Sequence, residues 1–331
     1  MAFVFGVDTC GVLNDRKISI RSRINRAKKR DVKMGGTAAG VPGTSEYSRN
    51  MRARLDELSC CENSAMDELW EDMQDEGILA ANDEPLLASF LFATILNQKT
   101  FIDALAFHLA NKLSGPSMPN TLLLQLIKEV MEDGEVKHAV RMDLLAIMER
   151  DPACTRFIDP FLYYKGFHAL QGYRVAHALW NQNRRPLAYF LQSQISKELQ
   201  VDIHPNAKIG AGTFIDHATG VVIGETAVLG DNVSLLHQVT LGGSGLRDGD
   251  RHPKIGDGVL IGAGATLVGD INIGEGTQVG AGSMVYSDIP SHVTAVGVPA
   301  RIVGKPRTQQ PAKEMNQDIS GDAKAPAAEI R

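Results

Sequence analysis

The chain carries a six-residue repeat of aliphatic residues from Ile203 to Val285. Isoleucine, leucine or valine stands at 203, 209, 215, 223, 229, 235, 241, 255, 261, 267, 273, 279 and 285. Glycine often follows directly, as in Ile209-Gly210 and Ile261-Gly262. This period predicts a parallel β-solenoid, in which each short strand points one aliphatic side chain inward and small residues turn the corners. Each coil buries its core only against its neighbours, so several coils must stack for the structure to be stable.

The repeat is interrupted twice. Positions 215 and 223 are eight residues apart, and positions 241 and 255 are fourteen apart. Because the inside of a solenoid is tightly packed, the extra residues must leave it at a corner, where loops usually carry function. His217 lies in the first interruption, and Arg251 and His252 lie in the second. We therefore expect the chemistry at these two places.

The residues before the repeat follow a helical pattern. Leu86, Leu87, Phe90, Leu91 and Ile95 recur at the spacing of one helix face, and similar stripes continue to about residue 200. We predict an α+β multidomain protein, with an N-terminal all-α helical domain followed by a parallel β-helix. The predicted parts are a disordered basic N-terminal extension (1–61), the α-helical domain (62–200), the β-helix domain (201–305) and a disordered C-terminal tail (306–331).

Composition excludes several classes of protein. The 331 residues carry a formal charge of -5, which argues against a nucleic-acid-binding protein. No apolar run reaches the roughly 20 residues that a membrane-spanning helix needs. The four cysteines are scattered and fit neither a disulfide framework nor a thiolate metal site, so we predict a reducing, cytoplasmic location. For the basic stretch 16–33, an organelle transit segment and a solvated tail both stay open.

Two histidines of the repeat are predicted to stack. Without the two extra residues of the first interruption, His217 and His237 are 18 residues apart, which is one triangular coil. They should then be neighbours at the strand spacing of about 4.8 Å. Such a pair favours either a metal site or general base catalysis, with Asp202 or Asp216 orienting the base. An ideal coil puts Gly220 above Asp202, so the repeat alone does not predict a contact between Asp202 and His217.

Other polar side chains indicate a small zwitterion as substrate. Arg251 offers the forked guanidinium that binds a carboxylate, and Asp151 and Asp216 could hold an ammonium group. Neither Cys154 nor Ser244 has the sequence context of a nucleophile. Direct attack by a deprotonated substrate hydroxyl on a thioester is therefore favoured over a covalent acyl-enzyme.

A series of motifs runs through both predicted domains. They are 151–153 (Asp-Pro-Ala), 164–171 (Tyr-Lys-Gly-Phe-His-Ala-Leu-Gln), 201–205 (Val-Asp-Ile-His-Pro), 216–220 (Asp-His-Ala-Thr-Gly), 224–226 (Gly-Glu-Thr), 239–243 (Val-Thr-Leu-Gly-Gly), 250–254 (Asp-Arg-His-Pro-Lys) and 297–301 (Gly-Val-Pro-Ala-Arg). In this order they resemble the serine O-acetyltransferase family over roughly residues 65–306. Hexapeptide repeats occur in many acyltransferases, whereas Asp-His-Ala-Thr-Gly together with Asp-Arg-His-Pro-Lys is highly specific.

The resemblance implies a left-handed parallel β-helix and an enzyme of cysteine biosynthesis. Such an enzyme transfers acetyl from acetyl-CoA to L-serine, giving O-acetyl-L-serine and CoA, without a metal or a tightly bound cofactor. The implied catalytic residues are His217, the general base, and Asp202, which assists it. The residues implied to bind serine are Asp151, Asp216, Arg251 and His252. Those implied to let acetyl-CoA approach the backbone are Gly243, Ala263 and Ala281.

The resemblance also implies partners. Family members form homotrimers through the solenoid, commonly paired into hexamers, and cysteine competes with serine as a feedback inhibitor. Their C-terminal isoleucine often docks into O-acetylserine sulfhydrylase. Here Arg331 follows Ile330, which weakens the prediction of that complex.

Two alternatives remain from the sequence. One is a metal-dependent hydro-lyase of the γ-carbonic anhydrase type, motivated by His217, His237 and His252. The other is a scaffold subunit of a cysteine synthase complex.

Overall fold

The computed structural model describes residues 65–245, 248–317 and 319. The predicted basic extension, 1–61, therefore lies outside the described residues, as do residues 320–331. The chain divides into two compact units, Met1–Phe101 and Ile102–Arg331. None of the helices in the described part is long and apolar enough to cross a bilayer.

The described part of the first unit is helical. Helix α1 (Ala65–Asp83) precedes a 3₁₀ turn (Pro85–Leu87), helix α2 (Ala88–Leu91) and a π-helical turn (Phe92–Leu96). Leu91 and Ile95 are buried as the helical stripe predicts, but Leu86 and Leu87 are exposed. The predicted stripe is wrong for these two leucines because they lie in the 3₁₀ turn, where the 3.6-residue period does not apply.

Helices fill the second unit as far as the solenoid. They are α3 (Phe101–Leu113), α4 (Asn120–Met131), α5 (Gly134–Arg150), α6 (Ile158–Tyr163), α7 (Lys165–Asn181) and α8 (Arg185–Leu199). The Asp133 carboxylate caps α5 by accepting from the amides of Glu135 and Val136. After α8, Gln200 adopts a left-handed conformation (φ 58°), which ends the helix and turns the chain into the first strand.

The solenoid consists of three parallel sheets. The first holds β1 (Val201–Ile203), β4 (Val221–Ile223), β7 (Thr240–Gly242), β10 (Thr266–Val268) and β13 (Met284–Val285). The second holds β2 (Lys208–Ile209), β5 (Val228–Leu229), β8 (Lys254–Ile255) and β11 (Asn272–Ile273). The third holds β3 (Phe214–Ile215), β6 (Ser234–Leu235), β9 (Leu260–Ile261), β12 (Gln278–Val279), β14 (Thr294–Gly297) and, antiparallel to β14, β15 (Ala300–Gly304).

Strand register confirms the predicted interruptions. Val201 pairs with Val221, twenty residues on, whereas Val222 pairs with Thr240, eighteen residues on. Thr240 then pairs with Thr266, so the second interruption adds eight residues to a coil. All the aliphatic repeat positions are buried except Ile209, which is half-buried. The extra residues leave the core at corners, as packing requires.

One buried ion pair and several hydrogen bonds join the helices to the first coil. The Arg174 guanidinium donates two hydrogen bonds, of 2.7 and 2.8 Å, to the Asp143 carboxylate, and it also donates to the Gly210 carbonyl. The same carboxylate accepts from the amide of Thr213, and Arg150 donates to the Gly212 carbonyl. The change from helix to strand lies between Leu199 and Val201, close to the predicted boundary at 200/201. That change falls inside the second compact unit, because these bonds join α5 and α7 to the solenoid.

The structure corrects part of the predicted C-terminal tail. Pro311–Glu314 form a short helix, α9, and Ala312 is fully buried. The Ser234 hydroxyl donates to the Ala312 carbonyl, and the Gln278 amide donates to the Asn316 carbonyl. The prediction of a disordered tail from 306 is therefore wrong for this segment, because polar side chains of the third sheet bind its backbone. Composition alone did not reveal those partners.

Two histidines lie in the core of the second unit. The His108 and His168 rings meet edge to face with centroids 5.0 Å apart. Each Nε2–H donates to a backbone carbonyl of α6, from His108 to Leu162 and from His168 to Phe161. Burial, with a smaller contribution from Lys112, lowers the pKa of His108 to about 4. Burial also lowers the pKa of His168 well below its usual value.

We predict that His108 makes the fold sensitive to acid. Its folded pKa lies below the unfolded value of 6.5, so the unfolded chain binds this proton more readily. Stability from this group is complete above pH 6.5 and falls by about 3 kcal/mol as the pH drops to 4. Urea denaturation at fixed protein concentration should show His108→Leu gaining that amount relative to wild type between pH 7 and pH 4. A difference that is independent of pH would contradict the prediction.

Candidate active site

The predicted site residues occupy two corners of the solenoid. The histidine corner follows the third sheet and comprises 216–220, 236–239, 262–265 and 280–283. The arginine corner follows the first sheet and comprises 204–207, 224–227, 243–245 and 248–253. His217, Asp216, Ala263 and Ala281 lie on the histidine corner. Arg251, His252 and Gly243 lie on the arginine corner. The width of the first sheet, about 10 Å for a three-residue strand, separates the two.

A bulge in the first coil presents His217. His217 and Ala218 both have positive φ angles, 55° and 56°, and Gly220 follows at 75°. Positive φ is unfavourable for non-glycine residues, so neighbouring contacts must hold the bulge. The Thr219 amide donates to the His217 carbonyl at 2.7 Å, and the Lys165 ammonium donates to the Thr219 hydroxyl. The bulge thus accommodates the two extra residues and turns the His217 side chain outward.

Helix α7 begins directly against this bulge. A Cβ added at Gly166, the second residue of α7, would lie 2.0 Å from the Ile215 carbonyl oxygen and 3.2 Å from Ala218 Cβ. Only glycine permits this approach, which explains why the second residue of α7 is a glycine. The helix start therefore helps to fix the backbone that carries His217.

The histidine pair predicted from the repeat is present. The His217 and His237 rings lie with centroids 5.8 Å apart at an angle of 73°. The His217 side chain is 74% exposed in the single chain, and its Nε2 is 3.7 Å from Asp216 Oδ2. An accessible imidazole next to a carboxylate can accept a proton from a bound hydroxyl.

Acidic groups gather around His217. Burial raises the pKa of Asp216, and repulsion from Asp151 raises it further, while His217 acts in the opposite direction. Tyr164 donates a hydrogen bond to Asp151, and burial raises the pKa of this tyrosine. The structure thus brings Asp151 and Asp216 close enough to interact, as two carboxylates that share an ammonium ligand would need to be.

The Asp202 carboxylate is hydrogen-bonded to helix α8. Its Oδ1 accepts from Gln192 Nε2 at 2.7 Å, and its register partner is Val222. Within the described residues, Asp202 and His217 form no hydrogen bond or ion pair, and the carboxylate beside His217 is that of Asp216. The assisting role of Asp202 stays a prediction.

Thr226 organises the arginine corner. Its Oγ1 accepts from the amides of Arg251 and His252 at 3.0 and 3.2 Å, and lies 2.8 Å from His252 Nδ1. Its own amide donates to the same Nδ1, so the proton of neutral His252 resides on Nε2. The Arg251 guanidinium donates to Glu225 Oε2 at 2.8 Å. These bonds hold both side chains in place before any ligand binds.

His252 is packed between glycines. The residue is 6% exposed, and burial, followed by the charges of Arg251 and Lys254, lowers its pKa. A Cβ added at Gly224 would lie 2.0 Å from the ring at both Nε2 and Cδ2, and one at Gly243 would lie 3.1 Å from Nε2. His252 is therefore a neutral donor near pH 7 in a tight cradle.

Sequence reasoning about individual residues overlooked several of these groups. Glu225 and Thr226 hold Arg251 and His252, and Tyr164 and Lys165 support the histidine corner. The available signal was their presence in the motifs at 164–171 and 224–226, which the sequence shows but does not explain. Their partners are distant in sequence, so local patterns could not assign these roles.

The three histidines of the metal-site alternative do not meet in one chain. His217 and His237 lie on the histidine corner, and His252 lies on the arginine corner. In the described part of the chain, no three His, Cys, Asp or Glu side chains are grouped so that they could hold a metal ion. A metal site made of these three histidines would therefore need two chains.

We predict that Gly224→Ala displaces His252. The new methyl group would overlap the ring, which Thr226 holds in place, at a cost of about 1–3 kcal/mol. His252 should then react faster with diethyl pyrocarbonate, measured by mass spectrometry of the labelled peptide. Gly134→Ala is the matched control, since a Cβ at Gly134 meets nothing within 4 Å. Equal labelling of His252 in both variants would show that close packing against Gly224 does not hold the ring in place.

Comparison with known proteins covers most of the chain. The family described as "Serine acetyltransferase, N-terminal" matches residues 69–172, and "Bacterial transferase hexapeptide (six repeats)" matches residues 252–287. The serine acetyltransferase of Escherichia coli (strain K12) is 50% identical over 265 residues, covering 80% of this chain and 96% of that protein. The crystal structure of serine acetyltransferase from Vibrio cholerae matches with a TM-score of 0.76 and 49% identity, covering 77% of this chain and 99% of that one.

Similar solved structures contain small molecules. Soybean serine acetyltransferase complexed with serine has a TM-score of 0.71 and 54% identity, covering 72% of this chain and 98% of that one. A serine acetyltransferase complex with cysteine has a TM-score of 0.74 and 48% identity, covering 76% and 98%. The Brucella abortus enzyme with coenzyme A has a TM-score of 0.71 and 49% identity, covering 72% and 96%. The predicted left-handed parallel β-helix is confirmed, and the chain belongs to the serine acetyltransferase family.

Proposed function

We propose that this chain transfers the acetyl group of acetyl-CoA to the hydroxyl of L-serine, giving O-acetyl-L-serine and CoA. One observation carries the proposal: the two corners together complement a hydroxy amino acid. The histidine corner offers an exposed imidazole beside two carboxylates, and the arginine corner offers a guanidinium beside a neutral imidazole. The relatives solved with serine and with coenzyme A support the same assignment.

In the proposed mechanism, His217 removes the proton from the serine hydroxyl as its oxygen attacks the thioester carbon. The carbon–sulfur bond then breaks, and His217 returns the proton to the thiolate of CoA. Burial and charge repulsion make the neighbouring Asp216 a weaker acid than usual, but the positive His217 formed during attack favours its ionised state. Acetyl-CoA is a co-substrate, and the reaction requires no tightly bound cofactor.

Charge complementarity predicts which residues would bind the carboxylate and which the ammonium group of serine. The Arg251 guanidinium and the Nε2–H of His252 would bind the carboxylate, because both are donors and Thr226 and Glu225 already orient them. Asp151 and Asp216 would bind the ammonium group and so relieve their mutual repulsion. Cysteine has the same zwitterion and nearly the same shape, so it would compete for this site. A relative solved with cysteine supports this inhibition.

We further propose that the site forms between two copies of the chain. Within one chain the first sheet separates the His217 corner from the Arg251 corner, which is too wide a gap for one serine to bridge. A homotrimer around a threefold axis would place the histidine corner of one copy against the arginine corner of the next. Gly243 on one corner and Ala263 and Ala281 on the other would then line the two walls of an acetyl-CoA groove.

Other assignments stay predictions. They include the division into a helical domain (62–200) and a β-helix catalytic domain (201–305), pairing of trimers into hexamers and assistance of the base by Asp202. A cytoplasmic location, with organelle targeting as the alternative, depends on residues outside the described part. A complex with O-acetylserine sulfhydrylase would be detected by a pull-down with and without the last residues. If the chain were instead a scaffold subunit of a cysteine synthase complex, it would bind the sulfhydrylase without releasing CoA from acetyl-CoA and serine.

We predict that His217→Ala lowers kcat by about 10²–10⁴-fold, because general base catalysis contributes on that order. Release of CoA from acetyl-CoA and serine, followed with a thiol reagent, measures the rate. His292→Ala is the matched control, since His292 is also an exposed solenoid histidine beside a carboxylate, Glu275. Wild-type turnover by the His217→Ala protein would refute the assignment of the base.

We predict that two inactive variants restore activity when mixed. His217→Ala and Arg251→Ala chains carrying different affinity tags would be co-expressed, and trimers containing both would be purified through both tags. One interface in such a cyclic trimer pairs an intact His217 with an intact Arg251, so activity should reach about one third of wild type. Each variant purified alone provides the baseline. Mixed trimers no more active than that baseline would place the whole site in one chain.

A further inference from the structure

Two residues of the Asp-Arg-His-Pro-Lys motif, Asp250 and Lys254, have no part in the proposed reaction. Lys254 is the first residue of β8, and its amide donates to the Ile271 carbonyl at 2.8 Å. Its backbone therefore belongs to the second sheet, directly after the loop that carries Arg251 and His252. Its ammonium group reaches back to the arginine corner, where it contacts groups from two successive coils.

The ammonium group of Lys254 has three acceptors, one for each N–H. It donates to the carbonyls of Thr226 and His252, both at 2.8 Å, and to the Asp250 carboxylate. The Asp250 side chain is 58% exposed, so solvent weakens that ion pair. Hydrogen bonds from a charged donor are stronger than neutral ones, and the Lys254 side chain is half-buried. The two carbonyl bonds therefore contribute most to the position of the loop.

These bonds close a ring of contacts around the backbone of His252. The Thr226 hydroxyl accepts from the amides of Arg251 and His252 at 3.0 and 3.2 Å. The Lys254 ammonium group joins the carbonyls of the same Thr226 and His252. His252 is thus restrained at its N–H by the threonine hydroxyl and at its carbonyl by the lysine. Removal of the ammonium group would leave the loop attached to this corner by the threonine hydroxyl and the ring of His252.

Equivalent positions in other coils show that the second sheet does not need a lysine here. Strand register places Lys208, Val228, Lys254 and Asn272 in one row. Valine occupies the position in the preceding coil, and Lys208, two coils before Lys254, is exposed. The sheet therefore accepts an apolar, a cationic or an amide side chain in this row. Lys254 differs from Lys208 in its contacts with the carboxylate-binding loop.

We propose that Lys254 is a positioning residue for the carboxylate of serine. Its ammonium group fixes the loop backbone against Thr226, so that the Arg251 guanidinium and the Nε2–H of His252 are in place before serine binds. Donors that are already ordered bind more tightly, because binding does not have to order them. Lys254 acts through these two donors and does not touch the substrate. Its role rests on the proposed function, which assigns the serine carboxylate to them.

Lys254→Met removes the ammonium group and keeps the length of the side chain. We expect the KM for serine to rise about 10–100-fold, as is typical when a residue that orients a ligand-binding group is removed, with kcat and the KM for acetyl-CoA within about twofold of wild type. His252 should also react faster with diethyl pyrocarbonate. Lys254→Arg, which keeps a charged donor, should recover part of both changes. Lys208→Met, in the same row, is the matched control and should behave as wild type.

The outcomes separate this role from the proposed function. A wild type without serine-dependent CoA release would overturn the proposed function, whereas labelling of His252 would still report whether Lys254 holds the loop. In an active enzyme, a wild-type KM for serine in Lys254→Met would overturn the positioning role. A raised KM with unchanged labelling would overturn it too, because the ammonium group would then act by attracting the carboxylate. So would equal losses in kcat and both KM values, which indicate general loss of structure.

Fold and assembly of each variant are checked by circular dichroism and size-exclusion chromatography. If Lys254→Met does not assemble, Lys254→Gln replaces it, since its shorter neutral amide cannot supply three charged donors. The same three measurements then apply: the KM for serine, kcat and the labelling rate of His252. A Lys254→Gln protein that matches wild type in all three would overturn the positioning role.

Discussion

Inward stacking of aliphatic side chains is the constraint on which the rest of the structure depends. Each strand donates one side chain to a narrow core, and those from successive coils must lie directly above one another. This requirement makes every coil equivalent and forces additional residues outward at the corners. Spacing in the sequence therefore determines position in the fold, and the stacking of His217 on His237 follows from strand register.

The two corners use different physical means to hold functional groups. On the arginine corner, Thr226 and the glycines around His252 prepare the donors through hydrogen bonds and close packing. On the histidine corner, the backbone itself is held in an unfavourable conformation at His217 and Ala218, supported by the start of α7. The helical region thus shapes the site as well as the fold, because Gly166 and Lys165 meet the bulge that carries the base.

Burial and charge together determine how the site can act. Burial raises the pKa of Asp216, and repulsion from Asp151 raises it further, an effect that a bound ammonium group would oppose. His252 is kept neutral by burial and by two neighbouring cations, and therefore serves as a hydrogen-bond donor rather than as a charge. Deep in the second unit, the helical core holds His108 and His168 in the same neutral state, but there the effect is on stability at low pH.

Much of this protein follows from its sequence. The aliphatic period determines a solenoid with its coil length, its two interruptions and the stacking of His217 on His237, because a period-six pattern has one geometric solution. The chemistry of individual residues, together with the motifs, predicts that His217 is the base and that Arg251 binds a carboxylate. The motifs also indicate the family.

The tertiary structure decided what depends on contacts between distant residues. It showed Asp216 rather than Asp202 beside His217, Thr226 and Glu225 behind the arginine corner, and the docking of the segment around Ala312. It also divided the predicted site between two corners. The side chains and backbone groups that make these contacts are up to about eighty residues apart in the chain, and their distances depend on packing, which no local pattern encodes.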